Sequence, residues 1–225
     1  MSIVSYLFFF YNTCYKLSMD IIITIFSLIV LLFSVIIHEL AHGYVANSLG
    51  DPTAQYAGRL TLNPIPHLDF FGSLLLPLLL FITGSPVMVG WAKPVPVNPY
   101  NFKDQKWGAI KVSLAGPATN LILATFFGLL MRFIPYAFFL KMPAMFVILS
   151  FIVHINIILA IFNLVPIPPL DGSWILFKFI PYKFEYVKTF LQQYGMFILI
   201  FLIFFGGLQR LEVITGAIFH LITGL

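Results

Sequence analysis

IIITIFSLIVLLFSVIIHELAH, residues 21–42, decides the fold of this chain. No side chain from Ile21 to Ile37 is charged, and the run passes without a break into His38-Glu39-Leu40-Ala41-His42. From Ile21 to Leu49 the only formal charge is Glu39. A helix over that length would reach roughly 40 Å, more than the ~30 Å hydrocarbon core of a bilayer. Gly50-Asp51-Pro52 then ends it, because glycine suits the position after a helix and proline cannot continue one. On such a helix His38 and His42 stand one turn apart on one face and can meet a single ion. Glu39 lies beside that ion, placed to act as a base. The segment is both a membrane span and a zinc-type helix, which puts the chemistry inside the bilayer.

Composition agrees. Of 225 residues 60% are hydrophobic and 9% charged, against about 25% charged in a soluble domain. A multi-span integral membrane protein follows. The net charge of +4 then reflects basic loops rather than nucleic-acid binding. The lone Cys14 excludes an intrachain disulfide and a cysteine-based zinc cluster, and neither a P-loop nor a GxGxxG turn occurs. Ser2 to Tyr15 is apolar and aromatic but lacks a basic leader and a cleavage site, so residues 1–19 are set apart as an interfacial segment, with Met19 an alternative start.

The expected class is an all-α polytopic membrane protein of four to six membrane helices. A core over residues 20–206 precedes a short or interfacial terminal helix over 207–225. Lys106 to Arg132, Pro143 to Val165 and Phe190 to Phe205 are the further spans. Phe71 to Thr83 is short and interrupted by Pro77, which suggests a re-entrant segment. Alternation from Pro52 to Pro66 suggests a short strand or hairpin, and the spaced prolines of Trp91 to Pro99 permit extended structure only. If Phe71–Thr83 does not cross, eight of the twelve lysines and arginines fall on one side, which is then cytoplasmic. The histidine motif and Asp171 share that side.

A catalytic zinc takes three protein ligands and a water. Asp51 and Asp69 lie in polar loops. Asp171 follows a span at the depth of the histidines, where an acid is costly unless it meets a cation, and is the expected third ligand. His154 lies on an apolar span and is expected to pack against another helix; His67 and His220 read as loop or interfacial residues. Asn120 and Asn163 are polar groups at membrane depth, suited to interhelical hydrogen bonds. Asn163 adjoins the broken segment that carries Asp171.

His38-Glu39-Leu40-Ala41-His42, Gly116-Pro117-Ala118-Thr119-Asn120 and Asn163-Leu164-Val165-Pro166-Ile167-Pro168-Pro169-Leu170-Asp171-Gly172 together resemble the site-2 protease family of intramembrane zinc metalloproteases. Gly58 to Pro64 and Gly90 to Pro99 look like its compact bacterial branch, and the resemblance spans roughly Asp20 to Tyr186. No gap between spans has room for the PDZ or CBS domains of larger members. The resemblance implies a Zn2+ cofactor held by His38, His42 and Asp171. It makes Glu39 the catalytic base and sets Asn163 near the site, orienting the substrate or the developing oxyanion. Asn120 is expected at the substrate. The substrate is a transmembrane segment of another protein in the lipid bilayer, and the enzyme a multi-pass protein of the cell membrane. The competing class is a non-proteolytic zinc-binding membrane protein or transporter, which would need ligands spread along a path.

Overall fold

A computed structural model describes residues 17–75, 78–79, 82–83 and 92–225. The described part is helical, with no strand among the described residues. α1 (Leu17–Ser48) carries the histidine motif in its last turns. α2 (Thr53–Tyr56) is a single turn. α3 (Gly108–Phe133), α4 (Tyr136–Lys141) and α5 (Pro143–Asn163) follow. α6 (Gly172–Phe179), α7 (Glu185–Leu202) and α8 (Leu208–Thr223) complete the chain, with a π-helical turn, Ile203–Gly207, between the last two.

Three helices are long and apolar enough to cross a membrane: Ile25–Ser48 within α1, α3 and α5. Their outer faces stay apolar as lipid contact requires. Ile122, Phe126, Leu129 and Phe133 form an exposed stripe at helical spacing on α3. The expected span from Phe190 lies in α7, which does not meet the same length and apolarity. The Ser2–Tyr15 segment lies outside the described residues. Residues 76, 77, 80 and 81 of Phe71–Thr83 also lie outside them, and its start is described as a π-helical stretch, Phe70–Leu75.

α3 is the central element and packs on both α1 and α5. Ala124, Met131, Phe139, Leu149, Val153, Ile157 and Phe219 form one apolar core where α3, α4, α5 and α8 meet. A second, of Ala46, Phe102 and Val112, joins the end of α1 to the start of α3. The terminal helix α8 closes the first core through Phe219. Glycine at 128 lets it approach, since a Cβ there would meet Ile222 at 2.5 Å.

The hairpin expected over Pro52–Pro66 does not form. Pro52, at φ −82° and ψ 5°, already has a turn-like backbone. The Asp51 carboxylate accepts the Thr53 N–H and starts a helical turn instead. Gly58 at φ +64° then reverses the chain, and Pro64 and Pro66 supply no ladder donors. Ala92 to Asn98 is neither helix nor strand, as its prolines require. It is fastened at several points. The Lys93 N–H donates to the His67 carbonyl, and buried Arg59 donates through Nη2 to the carbonyls of Lys93 (3.0 Å) and Pro94 (2.9 Å). Asp51 takes the Asn98 N–H at 2.7 Å.

Candidate metal centre

Ser34, His38 and His42 form one buried stripe of α1, spaced a turn apart. Each histidine commits one ring nitrogen to an acceptor. His38 Nδ1 lies 2.5 Å from Asn120 Oδ1 on α3, and His42 Nδ1 lies 2.7 Å from the Val112 carbonyl. A carbonyl oxygen only accepts, so His42 carries a proton on Nδ1, and in the neutral ring Nε2 is the bare nitrogen. Asn120 imposes the same tautomer on His38. The two Nε2 atoms stand 3.0 Å apart, and Asp171 Oδ2 lies 3.1 Å from one and 3.3 Å from the other.

Three acceptors thus converge with no donor among them. Two neutral imidazoles and a carboxylate cannot rest this way unless a cation stands between them. The spacing fits a particular ion. Donors ~2.0–2.1 Å from a tetrahedral zinc stand about 3.3 Å apart, close to the three separations here. Space is kept free from the α3 side: a Cβ on Gly116 would fall 2.5 Å from both His38 Nε2 and His42 Nε2. The residues present fit zinc, and among the described residues His38, His42 and Asp171 are the one group of this kind.

Asp171 arrives by a tight turn between α5 and α6. Leu170 N–H donates to the Ile167 carbonyl, and Ser173 N–H and Oγ both donate to the Leu170 carbonyl. Gly172 makes the turn possible, because a Cβ there would lie 2.2 Å from the Leu164 carbonyl oxygen. Gly195 of α7 likewise lets that helix rest on the Pro168 carbonyl. Glu39, next to His38 on α1, accepts the Val95 N–H through Oε2 at 2.8 Å. Prolines at 94 and 96 make Val95 the one backbone donor between Lys93 and Val97.

The other expected residues divide. Asn163 is the last residue of α5, donates Nδ2 to the Leu159 carbonyl, and makes no hydrogen bond to the three converging groups among the described residues. Asn120 is not placed for the substrate contact expected of it. It is fully buried, and its amide is spent on His38 and on Asn156. His154 does pack, stacked on Phe219 with ring centroids 4.0 Å apart. His67 sits in a loop but is wholly enclosed. Val95 and Arg59 escape sequence reasoning. Ser34 was open to it, since it precedes His38 by one turn on the same face.

Residues 136–205, which include α5, the Asp171 turn and α7, match peptidase family M50. YwhC of Bacillus subtilis (strain 168), named for an inferred zinc metalloprotease activity, is 40% identical over 185 residues, 80% of either chain. Two further proteins carry names of the same kind. MJ0611 of Methanocaldococcus jannaschii is 32% identical over 184 residues, 80% of this chain and 83% of its own. Rip2 of Mycolicibacterium smegmatis is 30% identical over 180 residues, 80% of this chain and 66% of its own. No solved structure matches the chain.

Proposed function

The chain belongs to peptidase family M50 and is an intramembrane zinc metalloprotease, and from that premise we propose the role of each site residue. His38, His42 and Asp171 hold the zinc, Glu39 is the general base, and Asn163 faces the scissile carbonyl. The observation that carries this reading is the triangle of three bare acceptors at 3.0 to 3.3 Å beside a carboxylate, on a helix apolar enough to span a bilayer.

When bound, zinc supplies a Lewis acid and an acidified water. The protein supplies the rest. Glu39 takes a proton from the attacking water on its carboxylate and returns it to the departing amide nitrogen. The Val95 N–H holds one carboxylate oxygen, which fixes the direction in which the other can work. His38 and His42 would not compete for that proton, because with Nδ1 protonated their Nε2 lone pairs would be taken up by the metal. Asn163 gives up its bond to Leu159 and turns its amide N–H to the carbonyl oxygen of the substrate. The substrate is a transmembrane segment of another membrane protein, unwound locally because a helix shields its own backbone. The site opens to the cytoplasm from a multi-pass position in the cell membrane, as the balance of basic residues supports.

The test is Glu39→Gln, purified in detergent with a single-span model substrate. Bound zinc stays at the wild-type level and cleavage is lost. Cleavage by the zinc-loaded variant at anything near the wild-type rate assigns the base elsewhere. Metal transport is the weaker reading, since a pathway needs successive ligand sets and the described residues offer one.

A further inference from the structure

The buried polar groups around Asn120 form a directed chain through three helices. Asn156 of α5 donates Nδ2 to the carbonyl of Ile152 on its own helix (2.9 Å) and to Ser34 Oγ on α1 (3.0 Å). Its Oδ1 accepts Asn120 Nδ2 at 2.8 Å. Asn120 Nδ2 also faces the Ser34 carbonyl at 3.4 Å, and Asn120 Oδ1 meets His38 Nδ1. Asn120 and Asn156 are both fully buried.

The order of donors and acceptors in this chain has one solution. The Ile152 carbonyl can only accept, so the amino side of Asn156 must face it. The Asn156 oxygen is then turned to Asn120, which must present its own amino group. That leaves the Asn120 oxygen for His38, which must carry a proton on Nδ1. His38 Nε2 is left as a bare lone pair in the metal position.

We infer that Asn156 is a positioning residue for the metal centre, acting wholly through Asn120: it passes the polarity of a helix carbonyl to His38 and locks the tautomer that binds zinc. An asparagine amide facing a histidine is otherwise ambivalent. Turned over, Asn120 would offer Nδ2 to an unprotonated Nδ1 and put the proton on Nε2, where zinc must bind. Asn156, with the more distant Ser34 carbonyl beside it, removes that second state. The inference rests on the zinc reading of His38, His42 and Asp171, but not on proteolysis.

The experiment measures zinc affinity by chelator competition in detergent, for wild type, Asn120→Leu, Asn156→Leu and the double variant. Thermal midpoints of the zinc-free forms check folding. Outer partners of metal-bound histidines are typically worth 10–100-fold in metal affinity. Asn156→Leu weakens zinc by about tenfold, Asn120→Leu by at least as much, and the double variant by no more than Asn120→Leu alone. Losses that multiply in the double variant overturn the proposal, because Asn156 then acts by another route. The second test is rescue. A carboxylate at 120 has no amino side to turn, so Asn120→Asp restores tight binding in the Asn156→Leu background. Repair of that kind is not available to a residue that merely fills space. Should Asn156→Leu not fold, Asn156→Ala serves in the same cycle. Wild-type affinity in the Asn156 variants, with wild type binding zinc, overturns this proposal and leaves the metalloprotease reading intact. A wild type that binds no zinc fails both.

Discussion

The main-chain N–H of Val95 donates to Glu39 Oε2 at 2.8 Å, joining the proposed base to a segment 56 residues away in sequence. A hydrogen bond to a charged group is worth about 1.5–3 kcal/mol, or roughly one to two decades in rate if it is used to aim the base. Val95→Pro removes this donor alone. Turnover falls about 10–100-fold at unchanged zinc content. Initial rates with a saturating model substrate and metal analysis of the same sample check it; wild-type turnover would mean that Val95 does not aim Glu39.

Arg59 holds the two carbonyls just before Val95. Arg59→Ala therefore lowers turnover through the same contact and also the thermal midpoint, since two carbonyls lose the donor of a buried arginine. Because both changes act on the aim of Glu39, the double variant with Val95→Pro turns over no more slowly than the slower single variant. Independent, multiplying losses would disconnect Arg59 from the base.

Gly116 faces the two Nε2 atoms, and a Cβ would lie 2.5 Å from each. Alanine is the better helix former by about 1 kcal/mol, so Gly116→Ala leaves α3 intact. The methyl nonetheless occupies the metal side of both rings. A folded protein with bound zinc reduced at least tenfold is the expected outcome, read by metal content beside circular dichroism. Full zinc occupancy would show that the rings can step aside.

Asp51 is a buried carboxylate just beyond the end of α1, with no ion pair to it among the described residues. Burial pushes its pKa up, but donors from Thr53, Asn101 and the Asn98 N–H outweigh that and hold it below the usual carboxylate value. A depressed folded-state pKa gives stability that is fully present above the unfolded value, near 4, and is lost as pH falls through the folded one. The zinc-free protein therefore loses thermal stability below about pH 4. Asp51→Asn is less stable at neutral pH, by about 2 kcal/mol, and shows a shallower acid slope. Melting curves across that range decide it, and equal slopes would remove Asp51 from the account. The zinc-free form is used so that acid release of the metal does not enter.

How much of this was legible in sequence depends on how local each relationship is. His38, Glu39 and His42 declared themselves because helical spacing alone sets them on neighbouring faces. Asp171 could be found by cost, since a carboxylate at that depth needs a cation. The turn at Thr53–Tyr56 read as a strand because its alternation is real, while the Asp51 side chain that caps it acts beyond any periodicity. Val95 left no trace at all: its contribution is a backbone N–H, which every residue but proline has. Asn120 was legible as important but not in its role. Which way an amide faces is settled by partners on two other helices, and no single stretch of sequence contains all three.

His38 and Asp171 meet although they stand 133 positions apart in the chain. A ribosome adding roughly 5–20 residues per second needs on the order of ten seconds or more to pass from one to the other. During that interval the histidine helix can already lie in the bilayer, among other nascent spans, with only two of the three proposed zinc ligands made. The enzyme is thus born inert and arms itself only when the turn after α5 is threaded into place. Closing so long a loop also makes the ion a staple, tying the first span to the fifth helix's end.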